Sequence, residues 1–104
     1  MTTDADTLSG YIQQGLERHQ AGQNEAAGEA FRKALDIDPD NPDANFLLGA
    51  ISHYSGNHAE AVELVNKAIA KVPDHPDCHN ILGLALQGLG KLDEAADSFR
   101  TALS

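Results

Sequence analysis

Three residues with metal-binding side chains stand close together in the stretch PDHPDCH. His75, Cys78 and His79 place nitrogen and sulfur within one helical turn, and Asp74 or Asp77 could add an oxygen ligand. Zinc binds such ligands, but structural zinc sites use other spacings. The sequence therefore predicts no metal site and no cofactor, and we interpret these side chains as ordinary turn and interhelix residues.

Two histidines could make a binding surface sensitive to pH. His19 and His53 are separated by about 34 residues, a distance that recurs throughout the chain. This separation is too large for a shared proton relay without a ligand between the rings, but both could titrate near neutrality. The alternative to a pH-sensitive pair is that both histidines are solvated polar residues of the surface.

A series of spaced carboxylates resembles calcium ligands, but it lacks the glycine and closing glutamate of that motif, so a solvated turn is predicted. The series is Asp36, Asp38, Asp40 and Asp43.

Charge and composition exclude several classes of protein. The 104 residues include 16 Asp and Glu against 7 Lys and Arg, which gives a net charge of -9. This charge repels nucleic acid and anionic membrane surfaces, so neither is expected as a partner. The single cysteine cannot form an internal disulfide, and the polar N-terminus lacks the pattern of a signal peptide. A folded, soluble, cytoplasmic protein is predicted.

The sequence repeats with a constant period of about 34 residues. Three copies cover residues 8–41, 42–75 and 76–104, and the third is incomplete. Residues 1–7 are predicted to form a disordered or frayed tail. Glycine, alanine, aromatic and proline residues recur in register. The columns are Gly15, Gly49 and Gly83; Gly22, Gly56 and Gly90; Ala27, Ala61 and Ala95; Phe31, Val65 and Phe99; Ala34, Ala68 and Ala102; and Pro39 and Pro73.

Each copy predicts two helices joined by a tight turn. Apolar residues recur at helical spacing in both halves, and Asn41 before Pro42 is typical of a helix start. A glycine such as Gly56 allows the turn, and prolines such as Pro73 end the second helix. Small residues in the two halves should let the paired helices approach closely. Predicted caps for the second helices are Asn24, Asn57 and Asp93.

With these columns in place, the chain resembles the tetratricopeptide repeat family, which has the pattern W-x-x-L-G-x-x-Y, then A-x-x-x-F and a proline. Leu48-Gly49 and Leu82-Gly83 reproduce the L-G pair. Departures include Tyr11, Asn45 and His79 in place of tryptophan. The resemblance implies an all-α fold in which antiparallel helix-turn-helix repeats stack into a right-handed α-solenoid.

The resemblance also implies that the first helix of each repeat lines a concave groove that binds a peptide or partner protein. None of the groove positions is Lys or Arg, so the family's carboxylate clamp for acidic chaperone C-termini is not expected. The implied groove residues are Ile12, Gln13, Leu16, His19, Gln20, Phe46, Leu47, Ala50, His53, Tyr54, Asn80, Ile81, Leu84 and Gln87.

The last predicted helix has an apolar face and no capping helix after it. Such a face predicts either association between copies, which would make a homo-oligomer, or continuation into a longer protein. Its residues are Leu92, Ala95, Ala96, Phe99, Ala102 and Leu103.

Three functional hypotheses follow from the sequence. The first is a noncatalytic scaffold or protein-interaction module that binds a protein or peptide partner in the groove. The second is a self-associating structural unit, and the third is the adaptor domain of a larger enzyme such as a glycosyltransferase or methyltransferase. An independent enzyme is the weakest hypothesis, because no nucleophile and base can be paired and no closed pocket can be assigned.

Overall fold

The computed structural model describes residues 7–104, which form an elongated all-α helical repeat solenoid of 50 × 24 × 19 Å. Of the predicted N-terminal tail, only Thr7 lies within the described residues, and its hydroxyl accepts a hydrogen bond from Gly10 N at 3.0 Å to cap the first helix. The six helices are α1 (Leu8–Gln20), α2 (Asn24–Ile37), α3 (Pro42–Tyr54), α4 (His58–Lys71), α5 (Pro76–Gly88) and α6 (Leu92–Leu103).

Helices α1 and α2, α3 and α4, and α5 and α6 pair as three hairpins. Each hairpin turn contains a glycine with positive φ, for example Gly56 at 89°. There, Gly56 N donates to His53 O at 3.0 Å and Asn57 N donates to Ser52 O at 2.8 Å. These bonds satisfy carbonyls at the end of α3, and a β-carbon would strain this backbone conformation.

The helix starts confirm part of the predicted capping. The Asn41 side chain accepts a hydrogen bond from Ala44 N at 2.9 Å at the start of α3. The predicted caps of the second helices are wrong, because no N-cap residue of α2, α4 or α6 makes a side-chain capping bond. Those N-cap residues are Gln23, Asn57 and Lys91.

A large side chain packs directly on a glycine in each hairpin. At Gly49, the Cγ2 atom of Val65 lies 2.7 Å from where a β-carbon would stand. The ring of Phe99 occupies the corresponding space at Gly83, with Cε1 at 2.6 Å. The prediction of close helix approach at these columns is therefore confirmed by the packing.

The hairpins stack through contacts of α2 with α3 and of α4 with α5, while α3 also contacts α5. Two buried clusters fill these junctions, one around Phe31 and Leu48 and the other around Val65 and Cys78. Asn45 is also fully buried, and its Nδ2 donates to the carbonyl oxygen of Pro39 at 3.1 Å. Stacking places α3 next to α5, and Asp43 of α3 shares a depression with residues of α1, so the outer faces of α1, α3 and α5 form a common surface.

Candidate functional site

The first depression on this surface lies along α1, with a volume of about 520 Å³. Ile12 and Leu16 supply its apolar surface, and Asp43 joins it from the first turn of α3. Ile12 and Leu16 are half-buried, so part of each side chain remains accessible to an apolar group of a ligand. The remaining lining residues are Ser9, Gln13, Glu17 and Gln20.

The second depression lies between α3 and α5 and has a volume of about 390 Å³. Its lining is mostly apolar, and Tyr54 at its edge is 69% exposed. Phe99 reaches it from α6, across Gly83. We refer to the two depressions together as the first-helix groove. The other residues of the second depression are Phe46, Asp77, Asn80, Ile81 and Leu84.

Nine of the fourteen expected groove residues line these depressions, and five do not. Leu47 and Ala50 are partly buried against the core clusters, as are the lining residues Leu16, Phe46 and Leu84. Ile81 reaches the second depression but is only 8% exposed, so it contributes mainly to the core. The five residues outside the depressions are His19, Leu47, Ala50, His53 and Gln87.

The two histidines expected in the groove make contacts across hairpin turns. His19 Nδ1 lies 3.1 Å from Asn24 Oδ1. His53 Nδ1 lies 3.0 Å from His58 Nδ1, and the two ring centroids are 4.9 Å apart. Burial lowers the pKa of His53 below its ordinary value, and the charge of His58 lowers it further. One ring must donate and the other must accept, so this contact requires at least one neutral imidazole.

The residues of the hypothetical metal site point to separate partners. Cys78 is buried, His79 Nε2 lies 2.7 Å from the carbonyl oxygen of Pro73, and the His75 ring lies 5.9 Å from the Phe46 ring. Across residues 7–104, no three His, Cys, Asp or Glu side chains are grouped closely enough to hold a metal ion. Burial raises the pKa of the Cys78 thiol, and the nearby carboxylates of Asp77 and Asp43 raise it further.

Only part of the apolar face expected on α6 is exposed in the structure. Leu92 and Leu103 are exposed, at 63% and 89%. Ala95 is buried within the α5–α6 hairpin, so the expectation that it lies on an open face is wrong. Phe99 packs on Gly83 and lines the second depression, while Ala96 and Ala102 are half-buried.

Sequence reasoning missed the carboxylates of the groove, Glu17, Asp43 and Asp77. Asp43 and Asp77 occupy the same column of successive repeats. Each stands three residues before a predicted groove residue, Phe46 or Asn80, and residues three apart share a helix face. This spacing was the signal that could have identified them.

The part of the chain that the structure describes contains no helix long and apolar enough to cross a bilayer. This finding concerns only the helices of residues 7–104.

Solved structures with the same helix arrangement include MamA, which is 29% identical with a TM-score of 0.87 over 96% of this chain and 55% of that one. A mutant O-GlcNAc transferase of Thermobaculum terrenum is 33% identical with a TM-score of 0.89, over 99% of this chain and 20% of that one. The first TPR of Spaghetti (RPAP3), bound to the HSP90 peptide SRMEEVD, is 23% identical with a TM-score of 0.88, over 97% of this chain and 80% of that one. The chain thus spans little more than half of MamA.

A search of curated proteins found no match. One family model described as a tetratricopeptide repeat matches residues 18–85, and a second with the same description matches residues 76–104. The chain belongs to the tetratricopeptide repeat family.

Proposed function

We propose that this protein is a noncatalytic interaction module that binds a peptide or helix of a partner protein in the first-helix groove. The observation that carries the proposal is the pair of neighbouring depressions, each with half-buried apolar side chains beside polar ones. A partner segment could bury apolar side chains in both, and polar groups at the edges would orient it. The linings contain no histidine, cysteine, lysine or arginine from which a nucleophile and base could be paired.

The comparisons support an interaction role. The Spaghetti TPR, which shares the fold, holds the HSP90 peptide SRMEEVD. That peptide is acidic, whereas the linings of the first-helix groove here contain Glu17, Asp43 and Asp77 and no cationic side chain. We therefore expect the present groove to select a different peptide chemistry.

The proposal is tested by selecting binders from a displayed library of random 12-residue peptides on the immobilised 104-residue protein. Selected peptides are then titrated against the paired variant Ile12→Gln, Tyr54→Ala, which removes one apolar contact from each depression. The matched control is Ile37→Ala, Leu92→Gln, which removes exposed apolar surface outside the groove; Ile37 is 51% and Leu92 63% exposed.

We expect the groove variant to bind the selected peptides about tenfold more weakly, since losing two partly buried apolar contacts costs roughly this much. The control should bind within about twofold of the native chain. Selection of no peptide, or equal binding by the native chain and the groove variant, would contradict the proposed function.

Self-association through α6 is a second candidate function. Leu92 and Leu103 are large apolar residues with most of their surface exposed, and they lie at the two ends of this helix. An exposed apolar pair of this kind is typical of contact surfaces. A concentration-dependent increase in solution mass would support this function.

Membership of a larger enzyme is a third candidate, favoured by the likeness to 20% of the O-GlcNAc transferase chain. In that case the repeats would bind the partner or substrate protein, and catalytic residues would lie in another domain. The length of the native chain, detected in its cell with an antibody to these repeats, tests this candidate, because a chain of only about this length would contradict it.

A cytoplasmic location belongs to the leading proposal and is supported by the unpaired Cys78.

A further inference from the structure

Charged side chains are unevenly distributed over the first helices. These helices contain three carboxylates, Glu17, Asp43 and Asp77, and all three line the first-helix groove. Their one Lys or Arg is Arg18, whose Nη1 donates to the carbonyl oxygen of Ala26 at 3.4 Å within the first hairpin. The groove lining is therefore acidic and contains no compensating cation.

Of the six other cationic residues, five belong to the second helices and one, Lys91, immediately precedes α6. Two of them make ion pairs there, because Arg32 contacts Glu60 at 3.1 Å and Arg100 contacts Asp97 at 2.6 Å. No Lys or Arg of the chain lines either depression. The remaining four are Lys33 on α2, Lys67 and Lys71 on α4, and Lys91 just before α6.

Two of the groove carboxylates are free to bind a partner. Within residues 7–104, the carboxylates of Asp43 and Asp77 accept no hydrogen bond and form no ion pair, and both residues are exposed. Both lie in the first turn of their helices, α3 and α5, and these two helices contact each other. Glu17 accepts one hydrogen bond, from Gln13 Nε2 at 3.3 Å.

From this arrangement, and resting on the proposed function, we infer that the partner segment is a basic peptide. Its apolar side chains pack in the two depressions, and its Lys or Arg side chains pair with Asp43 and Asp77. Complementary charge at the edge of an apolar site accelerates association and excludes partners of like charge. The predicted partner therefore has the opposite charge to the peptide SRMEEVD that the Spaghetti TPR binds.

The same electrostatics disfavours a second copy of this chain as the groove ligand. Each copy has a net charge of -9, so an acidic surface would have to meet an acidic groove. Self-association of the native chain that is lost in the variant Asp43→Lys, Asp77→Lys would contradict the inference.

The inference is tested with the same displayed library of 12-residue peptides, panned in parallel on three proteins. These are the native chain, the variant Asp43→Lys, Asp77→Lys, and the control Glu29→Lys, Glu63→Lys. The control residues are exposed, belong to second helices and also occupy one column of successive repeats. Both variants change the net charge by the same amount, so any effect of overall charge on peptide binding should be equal in the two. The neutral pairs Asp43→Asn, Asp77→Asn and Glu29→Gln, Glu63→Gln replace them if a lysine variant fails to fold by circular dichroism.

Peptides selected by the native chain should be rich in Lys, Arg and apolar residues, and should bind the Asp43→Lys, Asp77→Lys variant at least tenfold more weakly. They should bind the control within about threefold of the native chain and weaken as salt increases. The Asp43→Lys, Asp77→Lys variant should itself select acidic peptides. With the neutral pairs, the native peptides should weaken about threefold on the groove variant only.

Two results would overturn the inference without affecting the proposed function. One is selection of neutral or acidic peptides that still require Ile12 and Tyr54. The other is an equal loss of binding in the groove and control charge variants, which would show that only the overall acidity of the chain matters. Selection of no groove-dependent peptide would instead overturn the proposed function itself.

Discussion

The ring of Phe31 occupies the space into which a side chain at residue 15 would project. Its Cε1 atom lies 2.5 Å from the position of a β-carbon on Gly15, and Phe31 has no exposed surface. A methyl group there would have to displace a ring that packs against Ala27, Leu48 and other core residues. The interior of a protein is dense, so the ring has no free space to enter.

Gly15→Ala should therefore destabilise the protein despite the better helix propensity of alanine. We expect a loss of about 1 to 3 kcal/mol in the free energy of unfolding, from overpacking. Urea denaturation followed by circular dichroism measures this value. An unchanged or higher midpoint would show that α1 and α2 can separate at this contact without cost.

Gly28→Ala should have the opposite effect, although Gly28 also lies inside a helix. The nearest side-chain atoms to a β-carbon there are Arg32 Nη1 at 3.5 Å and Leu48 Cδ1 at 3.6 Å, which are ordinary contact distances. Alanine is favoured over glycine in a helix interior by about 1 kcal/mol, so the variant should be more stable by up to that amount. Thermal denaturation measures the change, and a lower melting temperature would contradict the prediction.

The side chain of Asn41 should stabilise α3, since it accepts a hydrogen bond from Ala44 N. Asn41→Ala should cost about 1 kcal/mol, the usual effect of removing such a cap. Asn57→Ala is the matched control, because Asn57 is the N-cap of α4 but makes no side-chain capping bond. We expect the control to change stability by less than about 0.5 kcal/mol. Equal effects in urea denaturation would show that the Asn41 hydrogen bond is not the cause.

The repeat period predicted the helices and turns because their determinants are local. The turn at Gly56 needs a positive φ, and Pro73 interrupts helical geometry, so each acts within a few residues of itself. Side-chain contacts between different helices are harder to predict from the sequence. His53 and His58 lie on different helices, and their contact depends on how the hairpin closes.

The groove shows a related limit of sequence reasoning. Leu47 is predicted to line the groove, yet it packs against the core cluster around Phe31, as the lining residue Leu16 also does. A helical pattern identifies an apolar face but does not determine which of its edges faces solvent. Asn45 shows the same difficulty, because a polar residue is fully buried where the family pattern has tryptophan.

The contact between His53 and His58 should make stability depend on pH. The pKa of His53 is lowered in the folded protein, by burial and then by His58, so the unfolded chain binds a proton more readily. Its stabilising contribution is therefore complete above the ordinary histidine pKa of about 6.5 and is lost as the pH falls through and below that value.

Urea denaturation at pH 7.5 and pH 5.5 measures this dependence, and the native chain should be less stable at the lower pH. His53→Gln should reduce the difference between the two pH values, since glutamine does not titrate. His58→Gln should reduce it by a smaller amount, because burial, the larger cause, remains. The same pH difference in the native chain and in His53→Gln would show that other groups determine it.

The exposed leucines of α6 give the last prediction, that of self-association. If copies associate through this helix, the native chain should form dimers or larger species as its concentration rises, measured by light scattering after size exclusion. Leu92→Glu, Leu103→Glu should then be monomeric, because it places charges in an apolar contact. Phe99→Glu is unsuitable for this test, since Phe99 packs on Gly83 inside the hairpin and its loss would affect folding.

The control for this experiment is Ile37→Glu, Leu89→Glu, which adds the same charge at exposed apolar residues outside α6. It should associate as the native chain does. Dissociation of the control to the same extent would indicate that added negative charge alone separates the copies. A native chain that stays monomeric at every concentration would exclude association through α6 and leave Leu92 and Leu103 as solvent-exposed residues of a monomer.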